Sequence, residues 1–206
     1  MLKDYVVLDL ETTGFSTDTC EIIEIGAIKV ENNIVVSAYN ELVRPKMYIP
    51  RHIQKLTGIG LEDVKNCDTI EIVLQRFYNY IGKLPLVGFN LPFDYGFLLS
   101  NGVMNGIDFT HKGSVKGIDV IKLARKYLDL PSYKLQDIAE SLHIKPILTD
   151  GSFHRAYYDA YVTYILYVTL LNTFGEKTDI VTPRPLVDDN RMYGKVNNYE
   201  SLSLDA

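Results

Sequence analysis

Three apolar runs, Tyr5–Leu10, Ile22–Val30 and Ile34–Val43, open the chain in close succession with no helical period between them. Runs of that length separated by turn formers, with Glu31, Asn32 and Asn33 marking a tight reversal, predict a meander of three strands. The period then changes. Pro50 opens a short helical stretch ending at Thr57 and Gly58, and Ile70, Val73, Phe77 and Ile81 recur at spacings of three and four before Gly82. Leu84–Gly88 reads as a brief strand, and Asn90 and Pro92 start a helix running to about Ser100. Val115–Val120 is a further strand candidate, followed by helical patterns at Val120–Leu128, Leu135–Leu142 and Arg155–Phe174. A meander followed by strands alternating with helices predicts one α/β domain over residues 1–174, a mixed sheet flanked by helices. From residue 175 to 206 the sequence is polar, carries two prolines and holds no period. That stretch predicts an irregular tail, docked on its own domain or on a neighbour.

The first strand carries an anomaly. Asp9 and Glu11 fall on one face of it while Leu8 and Leu10 fall on the other. Two carboxylates on one face, about 7 Å apart along the strand by its rise per residue, repel each other unless a cation lies between them. A strand end reaching solvent would need no cation, so the remaining acids matter. Asp94 falls in the first turn of the helix after the short strand, where the macrodipole alone could account for it. Asp159 shares a helical stripe with Ala156, Val162, Thr163 and Leu166, where an unpaired charge is costly. No lysine or arginine falls on the same stripes. Carboxylates without thiolates suit Mg²⁺ or Mn²⁺, and two such ions about 4 Å apart are an established arrangement for in-line cleavage of phosphodiesters. His154, five residues before Asp159, lies off that stripe, in the loop or first turn after Gly151 and Ser152. From there an imidazole can exchange a proton near neutral pH.

Composition narrows the setting. With 206 residues, 47% hydrophobic and 23% charged, the chain can bury one sizeable core as an ordinary globular domain. Cys20 and Cys67 match no metal spacing or disulfide framework, and no run approaches the length of a membrane span or a secretory leader. The expectation is a cytoplasmic protein without a membrane partner. A net charge of −5 argues against a protein that coats nucleic acid, though not against one gripping a few nucleotides at a metal site. Lys112, Lys116, Lys122, Arg125 and Lys126 offer a modest basic rim or a solvated face.

The segments DLETTG, IIEIGAIKV, FNLPFD, IDVIKLARKY, YKLQDIAESL and HRAYYDA occur in an order that resembles the DnaQ-like, or DEDD, exonucleases. The resemblance spans Tyr5 to Phe174 and looks most like the proofreading subunit of bacterial DNA polymerase III and the related domain of PolC. The spacing from His154 to Asp159 matches the histidine branch, because Arg155 stands where the other branch has tyrosine. The resemblance implies a ribonuclease-H-like fold in which Asp9, Glu11, Asp94 and Asp159 hold two metal ions and His154 is the general base. On the substrate side it implies Leu10, Thr12, Thr13 and Gly14 at the terminal nucleotide. The IQKLTGI stretch would add Leu56 as an apolar surface, with Thr57 and Gly58 at the sugar, and FNLPFD would add Phe89, Asn90 and Phe93. The family usually has histidine where this chain has Phe89; a phenylalanine there could stack on a base. The implied activity is 3′→5′ hydrolysis of single-stranded or frayed DNA ends to nucleoside 5′-monophosphates, with a DNA polymerase subunit as a possible partner. Trimming of RNA 3′ ends by the same chemistry, and a non-catalytic polymerase-binding module, are the alternatives.

Overall fold

The computed structural model describes residues 2–110, 117–144 and 152–175. Strands β1 (Tyr5–Thr12), β2 (Ile22–Glu31) and β3 (Ile34–Leu42) form the expected meander. Asn32 and Asn33 both take positive φ (51° and 63°). That pair of left-handed residues is what a two-residue hairpin with the natural strand twist demands, and asparagine tolerates it better than most side chains. Helices α1 (Arg51–Thr57), α2 (Leu61–Val64) and α3 (Ile70–Ile81) come next, then β4 (Leu86–Gly88), α4 (Leu91–Asn105), β5 (Ile118–Asp119), α5 (Val120–Tyr127), α6 (Leu135–Ser141) and α7 (Ala156–Phe174). The one-turn helix α2 has no counterpart in the sequence reading, because four residues are too few to show a period. The tail from residue 176, Val115 and Gly151 lie outside the described residues.

The sheet order is β3-β2-β1-β4-β5, with β1, β2 and β3 antiparallel and β1, β4 and β5 parallel. The mixed sheet flanked by helices is therefore as expected. Alternation along β1 divides the core. Val6, Leu8 and Leu10 pack with Val73, Phe77, Phe97 and Leu98 of α3 and α4. Tyr5 and Val7 pack on the opposite face with Val120, Ala124, Ile138 and the tyrosines of α7. Asp9 and Glu11 continue that second face, the one α7 covers.

Helix α7 lies against β1 and β2 and is buried nearly all round, which is why its sequence, AYYDAYVTYILYVTLLNTF, shows only a weak apolar stripe. Its first turn crosses β2 at Gly26, where a Cβ would stand 2.2 Å from the Ala156 carbonyl carbon and the Tyr157 nitrogen. Only a glycine allows so close an approach. Because Gly26 pairs with Asp9 across the ladder, the contact sets the start of α7 beside the acidic end of β1. No helix among the described residues is long and apolar enough to cross a membrane.

Candidate active site

The acidic end of β1 is built where the sheet runs out. Strand β4 pairs with β1 only at Val6 and Val7, so farther along β1 the amides on that side lose their strand partner. Asp94, in the first turn of α4, takes the place of the missing strand: Leu10 N–H donates to its Oδ1 at 3.0 Å, and the side chain is only 2% exposed. The helix itself starts at an unusual residue. Asn90 is the N-cap in the left-handed region (φ 64°) and makes no side-chain cap; its backbone N–H donates to Asp119 Oδ1 at 3.0 Å. Asn90 thus opens the helix by its tolerance of positive φ and not, as the sequence suggested, by capping chemistry.

From the other side, α7 contributes Asp159, which is 8% exposed. Its Oδ2 accepts the backbone N–H of His154 at 3.1 Å, while Oδ1 is buried without a hydrogen-bond partner. An orphaned carboxylate oxygen inside a protein is costly and points to a ligand the carboxylate is made to meet. His154 sits just before the helix, exposed, with φ 68°. A left-handed residue other than glycine costs roughly 1–2 kcal/mol, which the bond to Asp159 helps to hold. One ligating atom each from Glu11, His154 and Asp159 can be chosen so that all lie within 4.8 Å of one another.

Electrostatics tell the same story. Burial, and then Asp94, Asp159, Glu11 and Glu24, raise the Asp9 carboxyl well above the ordinary range. Burial, with Asp159, Glu24 and Asp94 adding to it, pushes Glu11 up to about 8, although Arg155 opposes the shift. Burial raises Asp94 to about 8 against the opposing bond from Leu10. Asp159 rises to about 7, again chiefly by burial, with the His154 N–H opposing. Carboxyls that hold their protons for want of positive charge, together with an empty buried acceptor, fit a divalent cation. Burial lowers His154, which favours the neutral imidazole.

Sequence reasoning missed one pair. Arg155, the N-cap of α7, reaches the fully buried Glu24 of β2, which lies opposite Glu11 in the ladder. No lysine or arginine was expected on the stripes that carry the acids, and Arg155 is consistent with that: it serves the site from the helix cap, a position no stripe reveals. The IIEIG segment carried the signal, since an acid in an otherwise apolar strand needs a partner.

The substrate-side candidates divide. The Leu10 side chain belongs to the core and its N–H is taken by Asp94. The Thr12 hydroxyl donates to Gly14 O at 2.6 Å and Thr13 Oγ1 accepts the Glu21 N–H at 2.8 Å, so both hydroxyls brace their own loop. Gly14 faces Cys20 Sγ, 2.7 Å from where a Cβ would stand. Thr57 is buried, its hydroxyl donating to Ile53 O and accepting the Ile59 N–H, whereas Leu56 is 49% exposed. Gly58 closes α1 at φ 72° with open space around it. Phe89 is half-buried against the α7-side core, and Phe93 packs edge-on against the exposed Phe15, ring centroids 6.3 Å apart. Of the basic rim, Lys122, Arg125 and Lys126 are exposed on α5; Lys112 and Lys116 lie outside the described residues.

The mixed sheet and its flanking helices are those of the ribonuclease-H-like exonucleases. Exonuclease X in complex with 5′ overhanging duplex DNA shares the fold at TM-score 0.64 and 24% identity, over 86% of this chain and 96% of that one. The nuclease domain of 3′hExo, a DEDDh family member bound to rAMP, does so at TM-score 0.69 and 21% identity, over 84% and 94%. The RNase_T exonuclease profile matches residues 6–167, and the chain belongs to that family. It is 34% identical over 180 residues to DNA polymerase III subunit epsilon of Aquifex aeolicus, covering 85% of this chain and 84% of that protein. It is 37% identical over 174 residues to the PolC-type DNA polymerase III of Caldanaerobacter subterraneus subsp. tengcongensis, 84% of this chain but 12% of that protein's length. The chain thus matches only a small part of its PolC-type relatives. The family is the DnaQ-like one that the six segments suggested, and it typically uses divalent metal ions.

Proposed function

We propose that this chain is a metal-dependent 3′→5′ exonuclease that removes nucleoside 5′-monophosphates from single-stranded or frayed DNA ends. The observation that carries the reading is the convergence of Glu11, Asp159 and His154 beside the half-buried Asp9 and the buried Asp94. The four carboxylates would hold two Mg²⁺ or Mn²⁺ ions. When bound, such ions make water acidic enough to attack at neutral pH and offset charge gathering on the phosphodiester. The residues of the chain do the rest. His154, kept neutral by its lowered pKa, accepts a proton from the attacking water. Water oxygen bonds to phosphorus, the bond to the 3′-oxygen of the preceding nucleotide breaks, and that oxygen takes a proton from solvent water as it leaves. Leu56 offers an exposed apolar surface for the terminal base, and the open backbone at Gly58 leaves room for the sugar. Phe93 and Asn90 border the same end of the sheet, and the Thr12–Gly14 loop presents backbone to the nucleotide. Phe89, half-buried, serves as support for that wall.

DNA is favoured over RNA by similarity to the polymerase III relatives, and a polymerase subunit is the natural partner on the same ground. Residues 1–174 would suffice for catalysis. The test is hydrolysis of matched 3′-labelled DNA and RNA oligomers with Mg²⁺, Mn²⁺ or excess EDTA, with products identified by mass. Mononucleotide 5′-phosphates from the 3′ end, lost in EDTA and nearly lost in Asp9→Ala or Asp159→Ala, are expected. Full turnover in EDTA refutes the metal site, and faster cleavage of RNA transfers the substrate assignment to RNA.

A further inference from the structure

His154 reaches the site from the residue just before the cap of α7, so whatever fixes the backbone there decides where its imidazole stands. Glu24 holds that backbone from another element. Its carboxylate is 0% exposed, and it receives Arg155 Nε at 3.2 and 3.1 Å and Arg155 Nη2 at 2.7 Å. Its Oε2 also accepts the Ala156 N–H at 2.9 Å. That amide is one of the first-turn donors a helix leaves unpaired, and the N-cap Arg155 supplies no side-chain cap of its own. The carboxylate of β2 therefore caps α7 across the interface, while the planar guanidinium fork fixes the orientation of the residue next to His154. His154 holds a left-handed conformation, which persists only where the surroundings impose it. The clamp on Arg155 and the bond from His154 N–H to Asp159 are the two restraints on either side of that residue.

Charge fits the same role. Glu24 lies opposite Glu11 in the ladder and adjoins an already acidic site. Paired with Arg155, it adds no net charge there, so the clamp can be buried beside the acids without displacing a cation from them.

We infer that Glu24 and Arg155 are positioning residues: the pair fixes the backbone at 154–156 and so aims the His154 imidazole at Glu11 and Asp159, touching neither substrate nor metal. The inference rests on the proposed hydrolytic role of His154. A double-mutant cycle tests it, with kcat and KM measured on a single-stranded DNA oligomer in Mn²⁺ for wild type, Arg155→Lys, His154→Ala and the double variant. Arg155→Lys keeps the charge and loses the fork. It should lower kcat roughly 10–100-fold, the scale of a small misplacement of a reacting group, while KM moves less than about threefold. Because Arg155 acts through His154, adding Arg155→Lys to His154→Ala should cost less than about twofold more, the limit set by additivity error. A full additional loss in the double variant, or an unchanged kcat in the single one, overturns the inference. Should Arg155→Lys fail to fold, Glu24→Gln takes its place in the cycle with the same expected outcome, since its amide oxygen still accepts the Ala156 N–H. Wild-type turnover in His154→Ala would remove the base and this inference together, and that failure is read from the single variant alone.

Discussion

Without metal, the folded protein should become less stable as pH rises from 5 to 7. The perturbation is titration of a carboxylate cluster whose members are held above their unfolded values: Glu11 and Asp94 at about 8, Asp159 at about 7, and Asp9 raised as well. In the unfolded chain these groups are largely ionised above pH 5. Between pH 5 and 7 the folded state therefore binds more protons than the unfolded state, and the linkage relation makes stability fall as pH rises. Stability is fully present below the unfolded carboxyl values and is lost through the folded ones. The cluster is strongly coupled, so the several shifts do not add. One proton retained across those two pH units is worth about 2.7 kcal/mol. For a chain of this size that corresponds to a fall in Tm of roughly 5–10 °C. His154, with its pKa lowered, works in the opposite direction near its own titration, but its effect is limited by exposure. The assay is thermal melting by circular dichroism in EDTA at pH 5, 6 and 7, repeated with excess Mg²⁺. Metal should reverse the slope, because ionised carboxylates bind it and ligand held only by the folded state stabilises that state, by about 2.7 kcal/mol at a hundred times Kd. Asp159→Asn should flatten the slope in EDTA and melt above wild type at pH 7. A Tm in EDTA that stays level or rises from pH 5 to 7 would refute the reasoning.

Gly26→Ala should lower Tm by roughly 3–10 °C, since overpacking of about 1–3 kcal/mol follows from a Cβ placed against backbone. It should also weaken Mn²⁺ binding by displacing Asp159, which calorimetry would show. His154→Ala should reduce kcat by about 10²–10⁴-fold while leaving Mn²⁺ affinity nearly unchanged; a loss of affinity matching that of Asp159→Ala would make the imidazole a ligand instead. Truncation after Gly175 should keep hydrolysis and alter association or stability, as light scattering and melting would report, and a folded but inactive truncation would move the functional boundary.

Sequence period sufficed for most elements because burial on a strand or helix face is a local property, written at intervals of two or of three and four. It exposed Asp9, Glu11 and Asp159 for the same reason: each is a charge at a position the local pattern assigns to the interior. Spacing placed His154 off the Asp159 stripe as a group able to exchange a proton, and the resemblance added its role as general base, since a histidine before a helix has no pattern of its own. What the sequence left open depends on contacts between distant segments. Asp94 replaces the strand that β4 is too short to supply, and only the pairing of β4 with β1 reveals that Leu10 N–H needs a partner. Thr12, Thr13 and Thr57 were open for a different reason: each hydroxyl bonds backbone near it in the chain, a use that spacing alone does not tell from binding a ligand. Glu24 and Arg155 stand 131 residues apart in the chain and meet only because Gly26 lets α7 cross β2 in van der Waals contact. Residue types and their spacing by themselves determined which groups the chain carries and on which face of each element they fall. The geometry that brings four acids and a histidine to one end of the sheet was decided by packing, because hydrogen bonds and close approaches between elements have no period along the chain.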